Sequence, residues 1–186
     1  MERFHSGYDA LLEDDEVDAI YISLPNGLHH EWTLRALTAG KHVLCEKPYS
    51  RRPAEVEEAW GVADEAGLVV AEAFMHRHHP QTQRVSALVE SGAIGRLLAV
   101  KTTFGFPLDD LTDFRAHPEL GGGSRRAEVE SVEVAPADSF LLELENFAAA
   151  IAGEAEPLLG RDDGLGQARA IEALYRAAET GKAVEI

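Results

Sequence analysis

Gly40-Lys41-His42-Val43-Leu44-Cys45-Glu46-Lys47-Pro48 is the stretch that decides the fold. His42 to Cys45 reads as a short buried strand, with a glycine before it to end a helix and a proline after it to stop the pairing. The strand delivers an acid and a base, Glu46 and Lys47, to its carboxyl end. Ligands of open α/β sheets bind at the carboxyl ends of strands, so Lys47 is a candidate for chemistry. The competing reading is a solvated strand-end charge, and spacing alone favours it.

Upstream, Val17-Asp18-Ala19-Ile20-Tyr21-Ile22-Ser23-Leu24 is β-branched, aromatic and apolar on both faces, as buried parallel strands are. Tyr8 to Leu12 reads as a short helix ahead of it, ending in the acidic turn Glu13 to Glu16. Pro25-Asn26-Gly27 stops the strand. Asn26 is placed to cap a helix whose Leu28, Trp32, Ala36 and Ala39 share one stripe. Downstream, Pro53 starts a helix with Val56, Trp60 and Ala63 on one face and Gly67 at its end. Leu68 to Ala71 is a third strand, expected to run on through Glu72-Ala73-Phe74-Met75. Strands and helices that alternate at this spacing predict βαβ units in an α/β fold with a parallel sheet.

The second half changes period. Pro80 opens a helix with Val85, Leu88 and Val89, closed by Gly92. Leu98, Val100, Thr102, Phe104 and Phe106 then alternate as a two-faced strand. A domain boundary is expected near Gly95, giving one domain over 1–95 and another over 96–186. Pro107 to Gly123 reads as a loop, and Ser124 to Ala135 as a strand with Val132 and Val134 inward. Asp138 caps a helix with Phe140, Leu144, Phe147 and Ile151 on one stripe. A last helix, about 163–180, is expected to bury Ile171, Leu174, Tyr175 and Ala178, with Val184 and Ile186 closing a sheet edge.

Composition narrows the function. A formal net charge of −16, spread along 186 residues, repels phosphate backbones and argues against nucleic acid as a partner. Cys45 is the single cysteine, so no intrachain disulfide forms, and burial in an apolar strand is its simplest role. No run approaches the roughly 20 apolar residues of a membrane helix, and Met1 to His5 has no leader-like apolar core. The protein is expected in the cytoplasm, away from membranes.

Two constellations stand out. His76, His78 and His79 cluster before Pro80, but on an extended chain neighbours point to opposite faces, and no carboxylate or thiol stands at ligand spacing. No metal is expected. Asn26, His29 and His30 sit at a strand-to-helix turn that is either a helix start with two exposed histidines or one wall of a crevice shared with Lys47. Gly164-x-Gly166 lacks a preceding strand and a third glycine, so it fails as a dinucleotide fingerprint.

Val17 to Ile22 through Pro25-Asn26, the Gly40 to Pro48 stretch, and Glu72-Ala73-Phe74-Met75 with Arg77, His79 and Pro80 together resemble the glucose-fructose oxidoreductase / inositol dehydrogenase (Gfo/Idh/MocA) family. The branch with dihydrodiol dehydrogenase and the NADP-dependent xylose dehydrogenases is the most similar. The resemblance implies a Rossmann-like domain holding NAD or NADP, then an α/β domain that forms the substrate pocket and a dimer face, hence a homo-oligomer. It implies hydride transfer between the cofactor and a sugar, polyol or diol, with Lys47 as the catalytic lysine. Leu24, Pro25, Asn26, His29, Glu46, Lys47, Pro48 and Arg77 are then the expected cofactor-binding residues, and Arg115 a substrate-binding one.

Chemically, alcohol oxidation sends a hydride to the nicotinamide while a base takes the hydroxyl proton, and a fixed ammonium stabilises the alkoxide. The family opens with a Gly-x-Gly-x-x-Gly turn, whereas these 186 residues begin after such a unit. After Gly121-Gly122-Gly123 the family continues into a helix carrying an acid-base tyrosine or histidine, whereas this chain goes to Ser124-Arg125-Arg126. The expectation is a truncated member. Its alternative role is a catalytically incomplete remnant whose sheet edge pairs with another subunit.

Overall fold

The computed structural model describes residues 4–98 and 132–185. By compactness the chain forms two units, one of residues 1–83 with 137–186 and one of residues 84–136. Helices near the carboxyl terminus, expected in a second domain beyond Gly95, therefore belong to the same compact unit as the amino-terminal sheet.

That sheet has three parallel strands in the order β1 (Ala19–Ile22), β2 (His42–Glu46), β3 (Val70–Ala73). Register sets Ile22 beside Cys45, Cys45 beside Glu72 and Glu46 beside Ala73, so all three strands end level at one carboxyl edge. Helix α1 (Tyr8–Leu12) precedes β1, α2 (His29–Thr38) joins β1 to β2, and α3 (Pro53–Ala66) joins β2 to β3. Gly40 and Gly67 follow α2 and α3 with φ of 76° and 67°, the left-handed region where glycine lets a helix stop and the chain turn into a strand.

One face of the sheet is covered along all three strands and the other over β2 and β3, which is why these strands carry few polar residues. Ile22, Val43, Cys45 and Val70 pack under Ala36 and Leu37 of α2 and Val56, Ala59, Trp60 and Ala63 of α3. On the other face Leu44, Ala71 and Ala73 meet Phe147 of α6 (Ser139–Ile151). Helix α7 (Arg161–Thr180) lies against α3, with Leu165 and Ala168 joining the first core. Gly164 makes room for this contact, because a Cβ there would sit 3.2 Å from Val56 Cγ1 and 3.6 Å from Trp60.

Several expectations change. Asn26 begins a short 3-10 turn (Asn26–Leu28) and makes no capping bond, and the residue ahead of α2 is Leu28. The chain after β3 does not continue extended. It coils into a one-turn helix, α4 (Met75–His78), before α5 (Pro80–Glu90), so His76 and His78 sit on helical geometry with His79 extended just after them. Nothing on α5 is buried.

The stripe buried by α6 is Glu143, Phe147 and Ala150, while Phe140 and Leu144 are exposed. Similarly, α7 buries Gly164, Leu165, Ala168 and Ala173, leaving Leu174 and Tyr175 exposed. The strand expected to 135 does not form over its described part: Val132 is exposed and 132–135 is irregular, as is Val184. The strand expected over 98–106, apart from Leu98, lies outside the described residues. So do the loop at 107–123, Arg115 and Ile186.

Candidate active site

The carboxyl edge brings together the turns after β1 and β2. Asn26, Pro25 and Lys47 are exposed there, and Leu24, Glu46 and Pro48 are partly buried. One buried side chain braces both turns. The ring of His29, with 0% of its surface exposed, reaches the carbonyl oxygen of Leu24 from Nε2 at 2.8 Å and that of Pro48 from Nδ1 at 3.0 Å. His29 therefore holds the Asn26 and Lys47 turns together from beneath and does not face the crevice, contrary to its expected place among the cofactor contacts. His30 is not free either: it bonds the Tyr49 hydroxyl at 3.0 Å and Glu58 at 3.1 Å.

Glu46 is held in place and Lys47 is left open. Glu46 Oε1 accepts from the Tyr21 hydroxyl at 2.5 Å, and its Oε2 accepts from the backbone N–H of Lys47 at 3.1 Å. Burial, then the bond to Glu46 and its charge, push the Tyr21 phenol well above its usual range, so it stays a donor. Glu143 of α6 is buried on the same face. Burial and repulsion from Glu46 raise its carboxyl to about 7. The Lys47-Pro48 peptide bond is cis.

A cavity of about 530 Å³ beside these turns is lined by Asn26, His30, Pro48, Ser50, Arg51 and Tyr175 among others, with the Arg51 guanidinium 5.0 Å from the Tyr175 ring centre. Arg77 lies elsewhere. It pairs with Asp163 of α7 at 3.2 Å and lines a second cavity, of about 340 Å³, with Glu72, Phe74, His76 and Gln167. Among the described residues no cluster of three or more histidines, cysteines or acids could hold a metal.

Residues that sequence reasoning passed over supply much of this geometry. Tyr21, Tyr49, Glu72, Glu143 and Gln167 were invisible as site residues because each acts through a partner far along the chain. Only Glu72 carries a signal: it is a lone acid in an otherwise apolar strand. It is 2% exposed, and burial pushes its carboxyl up to about 7 against the opposing pull of bonds from Tyr49 and Gln167.

Residues 1–74 match the oxidoreductase family with an NAD-binding Rossmann fold, Gfo/Idh/MocA. Over this segment the chain is similar to that family. The chain is 45% identical over 121 residues to a D-xylose 1-dehydrogenase (NADP(+)) of Haloferax volcanii, covering 64% of this chain and 37% of the relative. It is also 45% identical over 118 residues to a dTDP-3,4-didehydro-2,6-dideoxy-alpha-D-glucose 3-reductase of Actinomadura kijaniata, covering 63% and 36%. The matched part thus spans little more than a third of these curated relatives. In fold it is similar to the aldose-aldose oxidoreductase of Caulobacter crescentus, whose crystal structure contains glycerol. The TM-score is 0.74 at 22% identity, over 96% of this chain and 82% of the other. The parallel sheet and the family match agree on an α/β oxidoreductase fold.

Proposed function

We propose that this chain serves NAD(P)-dependent hydride transfer at a CH–OH group of a sugar, polyol or diol, with Lys47 as the catalytic lysine. One observation carries the reading: two parallel strands deliver Asn26 and Lys47 to a single edge, where Glu46 is pinned by Tyr21 and the Lys47 side chain is left exposed. The names of the relatives supply the reaction class, since one oxidises a free aldose with NADP and another reduces a keto group on a nucleotide sugar.

The donor set fits the nicotinamide and ribose half of such a cofactor. Asn26 offers an amide that both donates and accepts, Glu46 would accept from a ribose hydroxyl, and Lys47 would donate to oxygen. When bound, the nicotinamide supplies the hydride acceptor or donor. The protein's own part is electrostatic. Lys47 would hold positive charge beside the oxygen on which negative charge develops as its proton passes to water, and a fixed charge needs no reorganisation at the moment of reaction. Glu46, with one oxygen bonded to the Lys47 amide, fixes the turn that presents that charge.

NADPH and NADH titrations of the 186-residue chain, followed by nucleotide and tryptophan fluorescence, test this reading. Binding in the micromolar range supports it, with turnover of an aldose or polyol abolished in Lys47→Ala. Absence of binding up to millimolar cofactor overturns it, and favours a subunit-interaction role for the sheet.

A further inference from the structure

Glu72 is a buried acid that the chemistry above leaves unused. It stands on β3 directly beside Cys45, one residue before the level at which Glu46 meets Ala73. Its Oε1 accepts two hydrogen bonds, from the backbone N–H of Tyr49 at 2.7 Å and from Gln167 Nε2 at 2.6 Å. Tyr49 is two residues beyond Lys47 and is itself buried, wedged edge-on against Trp60 at 5.0 Å between ring centres. Gln167 belongs to α7. One carboxyl oxygen thus joins the strand, the turn carrying Lys47 and a helix distant in sequence.

We propose that Glu72 is the positioning residue of the Lys47 turn and that, through Gln167, it couples the placement of Lys47 to α7. This rests on the proposed role of Lys47. The physical case is one of alternatives. A buried backbone N–H at Tyr49 must find an acceptor, and the carboxyl held beneath it by Gln167 provides one from a fixed direction. Without it the N–H turns toward water, and the turn shifts with it. His29 fixes the same turn at Pro48, so Glu72 and His29 hold consecutive residues from two sides. The titratable groups around it are Asp162 and Asp163 from α7 and His76 and Arg77 from α4, which line the same cavity, and Cys45, its neighbour on β2.

Amide exchange and nitrogen-proton spectra of the full chain test the proposal, with Glu72→Ala, Glu72→Gln and Gln167→Ala. Glu72→Ala is expected to speed exchange at Tyr49 by about tenfold to a hundredfold, as losing one charge-assisted bond does, while Val43 and Leu44 in β2 stay protected. Glu72→Gln, which keeps an acceptor oxygen, restores protection at Tyr49. In wild type the Tyr49 amide shift follows a titration that Glu72→Gln abolishes. Turnover and affinity for NADPH both fall in Glu72→Ala, because the turn that moves carries Lys47, and both recover in Glu72→Gln.

Unchanged Tyr49 exchange in a folded Glu72→Ala overturns the proposal. If that variant unfolds, Gln167→Ala decides: a moved Tyr49 amide supports the coupling, and an unmoved one overturns it. Failure of wild type to bind NADPH would sink the hydride-transfer reading while the Tyr49 amide still reports on the clamp. Binding and turnover with an indifferent Tyr49 would sink the clamp alone.

Discussion

Replacing Glu72 by glutamine makes a prediction whose size comes directly from the burial of the carboxyl. Desolvation moves this group from 4.5 to about 7, outweighing the bonds from Tyr49 and Gln167. At about 1.4 kcal/mol per tenfold in acidity, ionised Glu72 costs the folded state about 3 kcal/mol more than it costs the unfolded chain. The folded pKa is raised, so this contribution to stability is full below 4.5 and is lost as pH rises through 7. Glu72→Gln cannot ionise and loses nothing over that window. Urea unfolding followed by Trp32 and Trp60 fluorescence, run from about pH 4.5 to about pH 8.5, gives the difference between the two proteins. Glu143 titrates in both and cancels. The variant should gain about 3 kcal/mol on wild type across the range. A difference independent of pH would refute the reasoning, because it would mean that the buried carboxyl ionises as freely in the fold as in water.

Other expectations are local. Gly164→Val should cost about 1–3 kcal/mol, since its Cβ meets Val56 and Trp60, whereas Gly166→Ala, with nothing within 4 Å, should be neutral or stabilising by up to about 1 kcal/mol. Comparing the two urea midpoints checks both, and equal losses would contradict the close α3–α7 contact. Cys45 has 0% exposure, and burial pushes its thiol up to about 12, so a thiol reagent should label it at least about a thousandfold slower in native protein than in urea. Comparable rates would show that β2 is not closed. His29→Ala should lower unfolding free energy by about 3 kcal/mol, from lost packing and a buried carbonyl left without its donor. A near-neutral result would remove His29 as the brace of the two turns.

The alternation of strands and helices was legible because buried parallel strands and glycine-terminated helices each leave a local mark. Val17 to Leu24, Gly40 to Pro48 and Pro53 to Gly67 all gave the right element within a few residues. What failed was the choice of face. Phe140, Leu144, Leu174 and Tyr175 are as apolar as a core stripe demands, yet they are exposed, and α6 and α7 bury Glu143, Gly164 and Ala168 instead. A helix's period is local, but the side it buries depends on its partner. The same limit hid the clamp, because Gln167 meets Glu72 across 95 residues of sequence. Lys47 was visible from its motif. The residues that hold its turn became visible only in three dimensions.

Whether the Asn26 and Lys47 turns form a nicotinamide site is decided by titrating NADPH into the isotopically labelled chain and following its backbone amides. Saturable shifts are expected at Asn26, Glu46 and Lys47, with α1 and the Ala66 end of α3 unmoved and with the response lost in Lys47→Ala. Saturable shifts confined to other parts of the chain, or none up to millimolar NADPH, would contradict it.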